Sequence, residues 1–278
     1  MMGMEVRGKV ANLLTHLILV TAGFVMVVPF VWMVSTALKG NSEIYIYPPT
    51  WVPAEIHLDN FARAWRYAPF GRFYVNSVFV AVTITLSQVV TSALAGYVFA
   101  RVRFPGRDMI FYMYVATLIV PTQVTMLPLF LMMNELKWIN TYKGLIMPFL
   151  ANAFMVFFLR QFFSTIPMEL EDAAKIDGCG RTRFIIQVLL PLSRPALAST
   201  GLFTFLGHWN SYIWPLIITN STRMRTLPIG LRYFVEESGA QHNYMMAAAL
   251  ITVAPVVLLF FLAQRQFIES IARTGVKS

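Results

Sequence analysis

The stretch IPMELEDAAKIDGCGRTRFIIQVLLP, Ile166 to Pro191, is the most charged part of a chain that is otherwise apolar. Acidic residues at Glu169, Glu171 and Asp172 occupy the first turns of a predicted helix, where the helix dipole favours negative charge. Gly178 is well placed to end that helix with a positive φ angle. The stretch therefore predicts a short helical segment that projects from an apolar body.

One face of this predicted helix carries residues at near-helical spacing: Ile166, Leu170, Ala173, Ala174 and Asp177. Small side chains such as the alanine pair allow another surface to come close to the helix backbone. The face is suited to docking into a groove of a partner. A solvated loop with no partner fits the same spacing equally well.

The body of the chain has the composition of an integral membrane protein. Its 278 residues are 57% hydrophobic and only 13% charged, with a mean hydropathy of +0.62, whereas soluble domains carry about 25% charged residues. Six apolar runs without Asp, Glu, Lys or Arg are candidates to cross a bilayer, which takes ~20 helical residues. They are Leu13–Leu38, Phe73–Ala100, Met109–Met133, Leu145–Leu159, Ala196–Thr219 and Met245–Ala263. The pattern predicts an all-α membrane protein with one domain, residues 1–278, and six transmembrane helices.

The basic residues predict the orientation of these spans. Of the 22 Lys and Arg residues, 13 fall in the set of loops and tails that includes both termini, the segment 164–191 and the dense loop RVRFPGR at Arg101–Arg107. Since positive charge accumulates on the cytoplasmic side, both termini and the segment 164–191 are expected there. The same rule accounts for the net charge of +9 without nucleic-acid binding.

No pattern of catalytic or metal-binding residues is present in the sequence. It contains no G-x-x-x-x-G-K-[ST] phosphate loop, no H-E-x-x-H and no G-x-S-x-G. The four histidines are scattered, and the single cysteine, Cys179, excludes an intrachain disulfide. The chain is therefore predicted not to be an enzyme and to hold no metal.

The polar residues inside the predicted spans are neutral, which excludes an obvious means of coupling to an ion gradient. Amide and aromatic side chains suit the hydroxyls and faces of sugar rings. The candidates for such a substrate path are Gln123, Asn152, Trp209, Asn210 and Tyr212. Packing between helices, or anchoring at the membrane interface, is the alternative role for each of them.

The segment 164–191 resembles the cytoplasmic signature of permeases in binding-protein-dependent ABC importers. That signature is Glu-Ala-Ala, three residues, Gly, nine residues and Ile-x-Leu-Pro. Here it reads Asp172-Ala173-Ala174, then Gly178, then Val188-Leu189-Leu190-Pro191. Further stretches, among them YPPTWVP, AGYVFARVRFPGR, PTQVTMLPLFLMM, NTYKGLIMPFL, WNSYIWPL and TLPIGL, resemble the carbohydrate-type importers, in particular the second, maltose-type permease.

The resemblance implies a type I ABC importer permease fold with six spans in the cytoplasmic (inner) membrane of a bacterium or archaeon. It implies four partners: a homologous second permease, two ATPase subunits and an extracytoplasmic solute-binding protein. ATP and Mg would be bound by the ATPase subunits, so no cofactor is expected in this chain. The implied function is import of a sugar or oligosaccharide by alternating access. The alternatives are a permease for sn-glycerol-3-phosphate or a related polyol and, in a different class, an ion-coupled secondary carrier.

By the same resemblance, the short helix of the segment 164–191 is the coupling helix that sits in a cleft of one ATPase subunit. The residues implied in coupling are Glu171, Asp172, Ala173, Ala174, Asp177 and Gly178. Since aspartate stands where the family has glutamate, either Glu171 or Asp172 is a candidate for the polar contact of the signature.

Overall fold

The computed structural model describes residues 2–236 and 241–275, which are largely helical and contain no strand. The helices are α1 (Met2–Leu38), α2 (Asn41–Ile44), α3 (Asp59–Tyr67), α4 (Phe70–Arg101), α5 (Arg107–Ala116), α6 (Thr122–Glu135), α7 (Tyr142–Ile146), α8 (Ala153–Thr165), α9 (Glu169–Ile176), α10 (Arg181–Phe184), α11 (Leu190–Leu192), α12 (Arg194–Trp209), α13 (Ile213–Ile218), α14 (Leu227–Gly230), α15 (Tyr233–Glu236) and α16 (His242–Gly275). Short 3₁₀ turns lie at Thr117–Ile119, Met147–Phe149 and Thr222–Met224, and a π-helical turn lies at Ile185–Leu189.

Three helices are long and apolar enough to cross a membrane unbroken: α1 over Asn12–Leu38, α4 over Phe70–Arg101 and α16 over His242–Leu262. Three further candidates are bent pairs. These are Arg107–Ile119 with Thr122–Glu135, Tyr142–Phe149 with Ala153–Thr165, and Arg181–Leu192 with Arg194–Trp209. If each bent pair is one span, the described residues contain up to six spans. The expected all-α membrane fold with about six spans is therefore confirmed.

The two helices of each bent pair meet at 40° to 98°. The largest of these angles lies at a proline. The two parts of the run Met109–Met133 meet at 98°, with Pro121 in an extended conformation at φ −61° and ψ 133°. Proline has no N–H to continue the helix and disfavours helical geometry in the residue before it. The predicted run Ala196–Thr219 is also interrupted, because α12 ends at Trp209 and α13 begins at Ile213.

The chain divides into two compact units, and the first comprises residues 1–70 and 231–253. The apolar part of α1 buries almost none of its side chains in this chain. Beyond its end lies Lys39, which is 2% exposed. The Lys39 ammonium lies over the Trp32 ring, 4.8 Å from its centroid, and donates a hydrogen bond to the carbonyl of Thr50. A cation–π contact and a carbonyl acceptor thus replace the water that this charge loses on burial.

A short helix, α3, lies in the loop that follows α1. Asp59 is its first residue and pairs with Arg63 at 2.8 Å. The residues that α3 buries are Asn60 and Ala64. The Asn60 amide donates to the main-chain carbonyls of Ala37 and Lys39, so a polar contact fixes this helix.

The second unit comprises residues 71–230 and 254–278 and has two apolar clusters. The buried members of the first are Val80, Ile84, Met133, Leu145, Ile146, Trp214 and Ile218. The buried members of the second, called the base cluster below, are Ala93, Tyr97, Leu159, Phe163, Phe184, Leu189 and Ala196. The base cluster joins α4, α8 and α12 to the segment 164–191, so the projecting segment rests on the ends of three long helices.

Candidate coupling helix and transmembrane cavity

Helix α9 ends where the sequence predicted, at a glycine with positive φ. Gly178 has φ +74°, and its N–H donates to the carbonyl of Lys175 at 3.0 Å. The N–H of Cys179 donates to the carbonyl of Ala174 at 2.8 Å. These two bonds form a Schellman motif, which satisfies the last carbonyls of the helix and turns the chain sharply. The end of α9 is thus fixed by local geometry.

The inner face of α9 is held by a buried carboxylate. Glu171 is 5% exposed and accepts a hydrogen bond from the Tyr97 hydroxyl at 3.2 Å. The Lys175 ammonium lies 3.4 Å from the same carboxylate. Ala174 packs against the base cluster, and its small side chain allows α9 to approach that cluster closely. Glu171 and Ala174 therefore face this chain's own core.

The outer face of α9 carries exposed apolar and acidic residues. Ile176 is 87% exposed, and Leu170 is also exposed. Ala173 and Asp177 lie on the exposed side, as does Asp172, whose carboxylate is 3.2 Å from Lys175. The sequence analysis placed both alanines on one docking face. In the structure Ala173 faces outward and Ala174 inward, because successive helical residues point ~100° apart.

The second arm of the segment 164–191 is irregular. After Gly180 the chain forms α10, the π-helical turn at Ile185–Leu189 and α11, and it then bends by 79° into α12. Phe184 and Leu189 insert into the base cluster. A π-helical turn has one extra residue per turn and is common at functional sites. Here it lies between the projecting segment and the span α12.

A cavity of about 410 Å³ lies among α4, α8 and α12. Its polar lining residues are Gln88, Asn152, Ser199, Thr200, Thr204 and His208, and its apolar lining residues are Phe154, Met155, Phe158 and Phe203, with Gly207 completing the wall. Ligand sites have volumes of about 300–1,000 Å³ and are mostly apolar with a few placed polar groups. The cavity therefore has the size and composition of a site for a small polar solute.

Three side chains define the polar wall of this cavity. The Gln88 amide donates to the carbonyl of Phe149 at 2.6 Å and lies 3.3 Å from Nε2 of His208. Asn152 precedes α8, and its side-chain oxygen accepts from the N–H of Met155 at 3.1 Å. The N-terminal end of α8, which carries a partial positive charge, borders the cavity, because Asn152 and Met155 both line it. Broken helices of this kind occur at transport sites in membrane proteins.

The structure does not bring the five predicted path residues into one cavity. Only Asn152 lines the cavity just described. Gln123 is exposed at the start of α6, and Trp209 is buried and stacks on Phe205. Asn210 donates to a carbonyl of its own helix, and Tyr212 is exposed. Trp209 also lines a second, apolar cavity of about 490 Å³ between α4, α12 and α16.

Sequence reasoning missed Gln88, the buried amide on α4, and its pairing with His208. A signal was present, since Gln88 is a strongly polar residue inside an otherwise apolar run. The contact between Gln88 and His208 joins residues 120 positions apart, and no local pattern predicts such a pair. Among the described residues, no group of three or more His, Cys, Asp or Glu side chains could hold a metal ion.

Comparison with known proteins places these features in a family. The profile described as "Binding-protein-dependent transport system inner membrane component" matches residues 88–273, a range that includes the cavity and α9. The chain belongs to this family. Membership in this inner membrane family confirms the expected multi-pass location. It favours the importer subunit over the alternative of an ion-coupled secondary carrier.

Two relatives and one solved structure resemble this inner membrane component over most of its length. It is 34% identical over 257 residues to the arabinooligosaccharides transport system permease protein AraQ of Halalkalibacterium halodurans, covering 91% of this chain and 92% of the relative. It is 34% identical over 278 residues to the sn-glycerol-3-phosphate transport system permease protein UgpE of Brucella abortus, covering 95% and 97%. A bacterial ABC transporter chain involved in alginate import aligns with a TM-score of 0.84 at 21% identity, covering 93% and 97%, which shows that this inner membrane component shares its fold.

Proposed function

We propose that this chain is the transmembrane subunit of an ATP-driven importer and carries a sugar or oligosaccharide across the inner membrane by alternating access. The observation that supports this most is the construction of α9. Its inner face is fixed to the membrane body through Glu171 and Ala174, while its outer face presents Ile176 and Asp172 to a partner. A helix that is rigidly mounted and externally exposed can pass a push from outside to the spans.

The proposed partner at α9 is a separate ATPase subunit on the cytoplasmic side, where ATP and Mg bind. Of the two acidic candidates, Asp172 makes the polar contact, because its side chain is exposed, whereas Glu171 is buried and bonded to Tyr97. A homologous permease and an extracytoplasmic solute-binding protein complete the assembly. This chain hydrolyses no ATP itself in this proposal.

The proposed solute is uncharged, and its path includes the cavity around Gln88, Asn152 and His208. Hydroxyl groups of a sugar match amide and imidazole side chains, and the aromatic residues of the wall suit a sugar ring. Among the residues that the structure describes, no Lys, Arg, Asp or Glu side chain lines the cavity. The name of the AraQ relative supports an oligosaccharide.

An sn-glycerol-3-phosphate importer is the second candidate, since several relatives at 33–34% identity carry that name. A phosphate would require a basic group along the path, supplied in that case by the partner permease. Competition separates the two candidates. Excess arabino-oligosaccharide should suppress uptake of a labelled oligosaccharide, and excess sn-glycerol-3-phosphate should leave it unchanged.

Uptake by cells that express the complete transporter tests the proposed energy source. Depleting ATP while the ion gradients are maintained should abolish uptake. Collapsing the gradients while ATP is maintained should leave it largely intact. Uptake that survives ATP depletion would contradict the proposal. The Ile176→Asp variant tests the exposed face of α9 in the same assay. It should insert in the membrane normally and yet lose uptake.

A further inference from the structure

The last residue of α4, Arg101, is a buried cation held by main-chain oxygens. It is 9% exposed, and within residues 2–236 and 241–275 it forms no ion pair with a carboxylate. Its guanidinium donates to the carbonyl of Phe163 at 2.7 Å, to the carbonyl of Ile166 and to the sulfur of Met168. These acceptors lie at the end of α8 and in the link to α9, where the helix dipole favours positive charge.

One turn earlier on α4, Tyr97 makes the second contact with the same part of the chain. The Tyr97 hydroxyl donates to the buried carboxylate of Glu171. Residues four apart lie on the same face of a helix, so Tyr97 and Arg101 present their donors side by side. Together they hold both ends of residues 163–171, which include the link to α9 and its first turn.

We propose that Tyr97 and Arg101 are positioning residues that fix α9 to the end of α4, so that α4 is the span that a displacement of α9 moves directly. This inference rests on the proposed coupling function. A buried guanidinium that leaves its acceptors loses the hydrogen bonds that offset its desolvation, which is costly. The link between α8 and α9 therefore moves together with the end of α4 as one body.

The first test uses the intact transporter, purified through an affinity tag on this chain and reconstituted in liposomes. Arg101→Met should lower solute uptake at least about tenfold, as expected when a charge-assisted contact is lost from a two-state element. ATP hydrolysis should continue and lose its dependence on the solute-binding protein. Tyr97→Phe should lower uptake at least about threefold. Arg101→Lys, which keeps the positive charge, should retain most of the uptake that Arg101→Met loses.

The matched control is Arg103→Met, which removes an exposed positive charge two residues beyond the end of α4. It should leave uptake and its coupling to ATP hydrolysis unchanged. The proposal is overturned if Arg101→Met transports at the parental rate, or if Arg103→Met fails to the same extent. If Arg101→Met does not accumulate, Tyr97→Phe and Arg101→Lys decide the matter, because each retains the shape or charge of the original residue.

The second test needs no partner and uses the full chain in lipid nanodiscs. Cys179→Ser gives a chain without cysteine, since Cys179 is the only one, and Ile176→Cys then carries a nitroxide at an exposed position on α9. Arg101→Met should increase the mobility of this probe, and Arg103→Met should not. Equal mobility in all chains overturns the proposal. If the probe responds as expected but no ATP-dependent uptake exists even in the parent, the proposed function fails and the positioning role stands.

Discussion

Gly178 shows how much a single backbone angle contributes to the proposed coupling helix. A side chain at φ +74° is strained even though a Cβ there would meet no atom within 4 Å. The left-handed conformation costs a non-glycine residue roughly 1–2 kcal/mol, and a β-branched residue is a stronger outlier. The last turn of α9 should therefore open when Gly178 is replaced by valine.

We predict that Gly178→Val leaves membrane insertion intact and uncouples ATP hydrolysis from uptake. Both rates are measured on the reconstituted transporter. The matched control is Gly180→Val, because Gly180 has an ordinary φ of −69° and equal free space around it. Parental uptake by the Gly178→Val chain would contradict the assignment.

At Gly144, close packing and not an unusual φ angle requires glycine. A Cβ at this position would collide with the main-chain oxygen of Trp138 and approach the Ile218 side chain to 3.1 Å. The gain in helix propensity from Gly to Ala is ~1 kcal/mol, whereas overpacking a core costs about 1–3 kcal/mol. We expect the cost of the collision to exceed the gain in helix propensity, because the Trp138 oxygen belongs to the backbone and cannot turn aside as a side chain can.

We predict that Gly144→Ala lowers the thermal stability of the purified chain in detergent. The rate at which Cys179 becomes reactive to a thiol dye on heating provides the measurement. Gly207→Ala is the control, since a Cβ there meets nothing within 4 Å, and its stability should stay equal or rise. A Gly144→Ala chain as stable as the parent would show that this close approach is not required.

At the residue scale, the sequence predicts what depends on local geometry. The turn at Gly178 follows from one residue type after a helical pattern, and the structure confirms it. The directions of Ala173 and Ala174 do not follow, because a short helix carries too few apolar residues to show which face is buried. The burial of Glu171 depends on Tyr97, which lies 74 residues away.

At the scale of the element, the Lys175 ammonium stabilises α9 through its two acidic neighbours. The hydrogen bond to Asp172, together with the charge of Glu171, holds the pKa of Lys175 above its usual value of 10.5. A raised pKa in the folded state means that, while these carboxylates are ionised, the stabilisation by the protonated amine is present in full below pH 10.5. That contribution is lost only as the pH rises through the folded pKa.

We predict that Asp172→Asn lowers the pKa of Lys175 toward 10.5, because the hydrogen bond that raises it most is removed. An NMR titration of chains with ¹³C-methylated lysines gives the value, and Lys175→Arg assigns the signal. Asp177→Asn is the control, since Asp177 directly follows α9 and, within the described part of the chain, forms no ion pair with Lys175. The same midpoint in parent and Asp172→Asn would refute the pairing.

The composition predicts well which parts of the chain are helical. It does not predict where a long helix is interrupted. Apolar runs free of charge predict where the chain is helical, as α1, α4 and α16 show. A proline predicts a possible break but not its angle, because the 98° at Pro121 depends on what each half packs against. The π-helical turn at Ile185–Leu189 has no signature in its sequence.

At the scale of the whole molecule, the cavity is a property of three helices that no single run reveals. Gln88, Asn152 and His208 come from α4, from the residue before α8, and from α12. The sequence predicts Asn152 as one of its polar residues, but it does not predict Gln88 on α4. Tertiary packing decides which polar side chains share a cavity.

We predict that Gln88→Leu lowers kcat/KM for solute uptake by about tenfold or more, since a site built to bind hydroxyl groups loses the side-chain oxygen of Gln88, a buried acceptor with no partner among the described residues. Ser199→Ala is the matched control in the same wall, because the Ser199 hydroxyl donates to the carbonyl of Pro195 and is not available to a solute. Uptake kinetics in reconstituted liposomes provide the measurement. A larger loss in Ser199→Ala than in Gln88→Leu would contradict the proposed path.

The buried guanidinium of Arg101 also has a consequence for folding during synthesis, because its acceptors are made after it. Phe163, which supplies one of its acceptors, is translated 62 residues later, a delay of roughly 3–12 s at 5–20 residues per second. During that interval the cation must stay hydrated. The contact that holds the end of α4 to α8 can therefore form only after Phe163 has been synthesised.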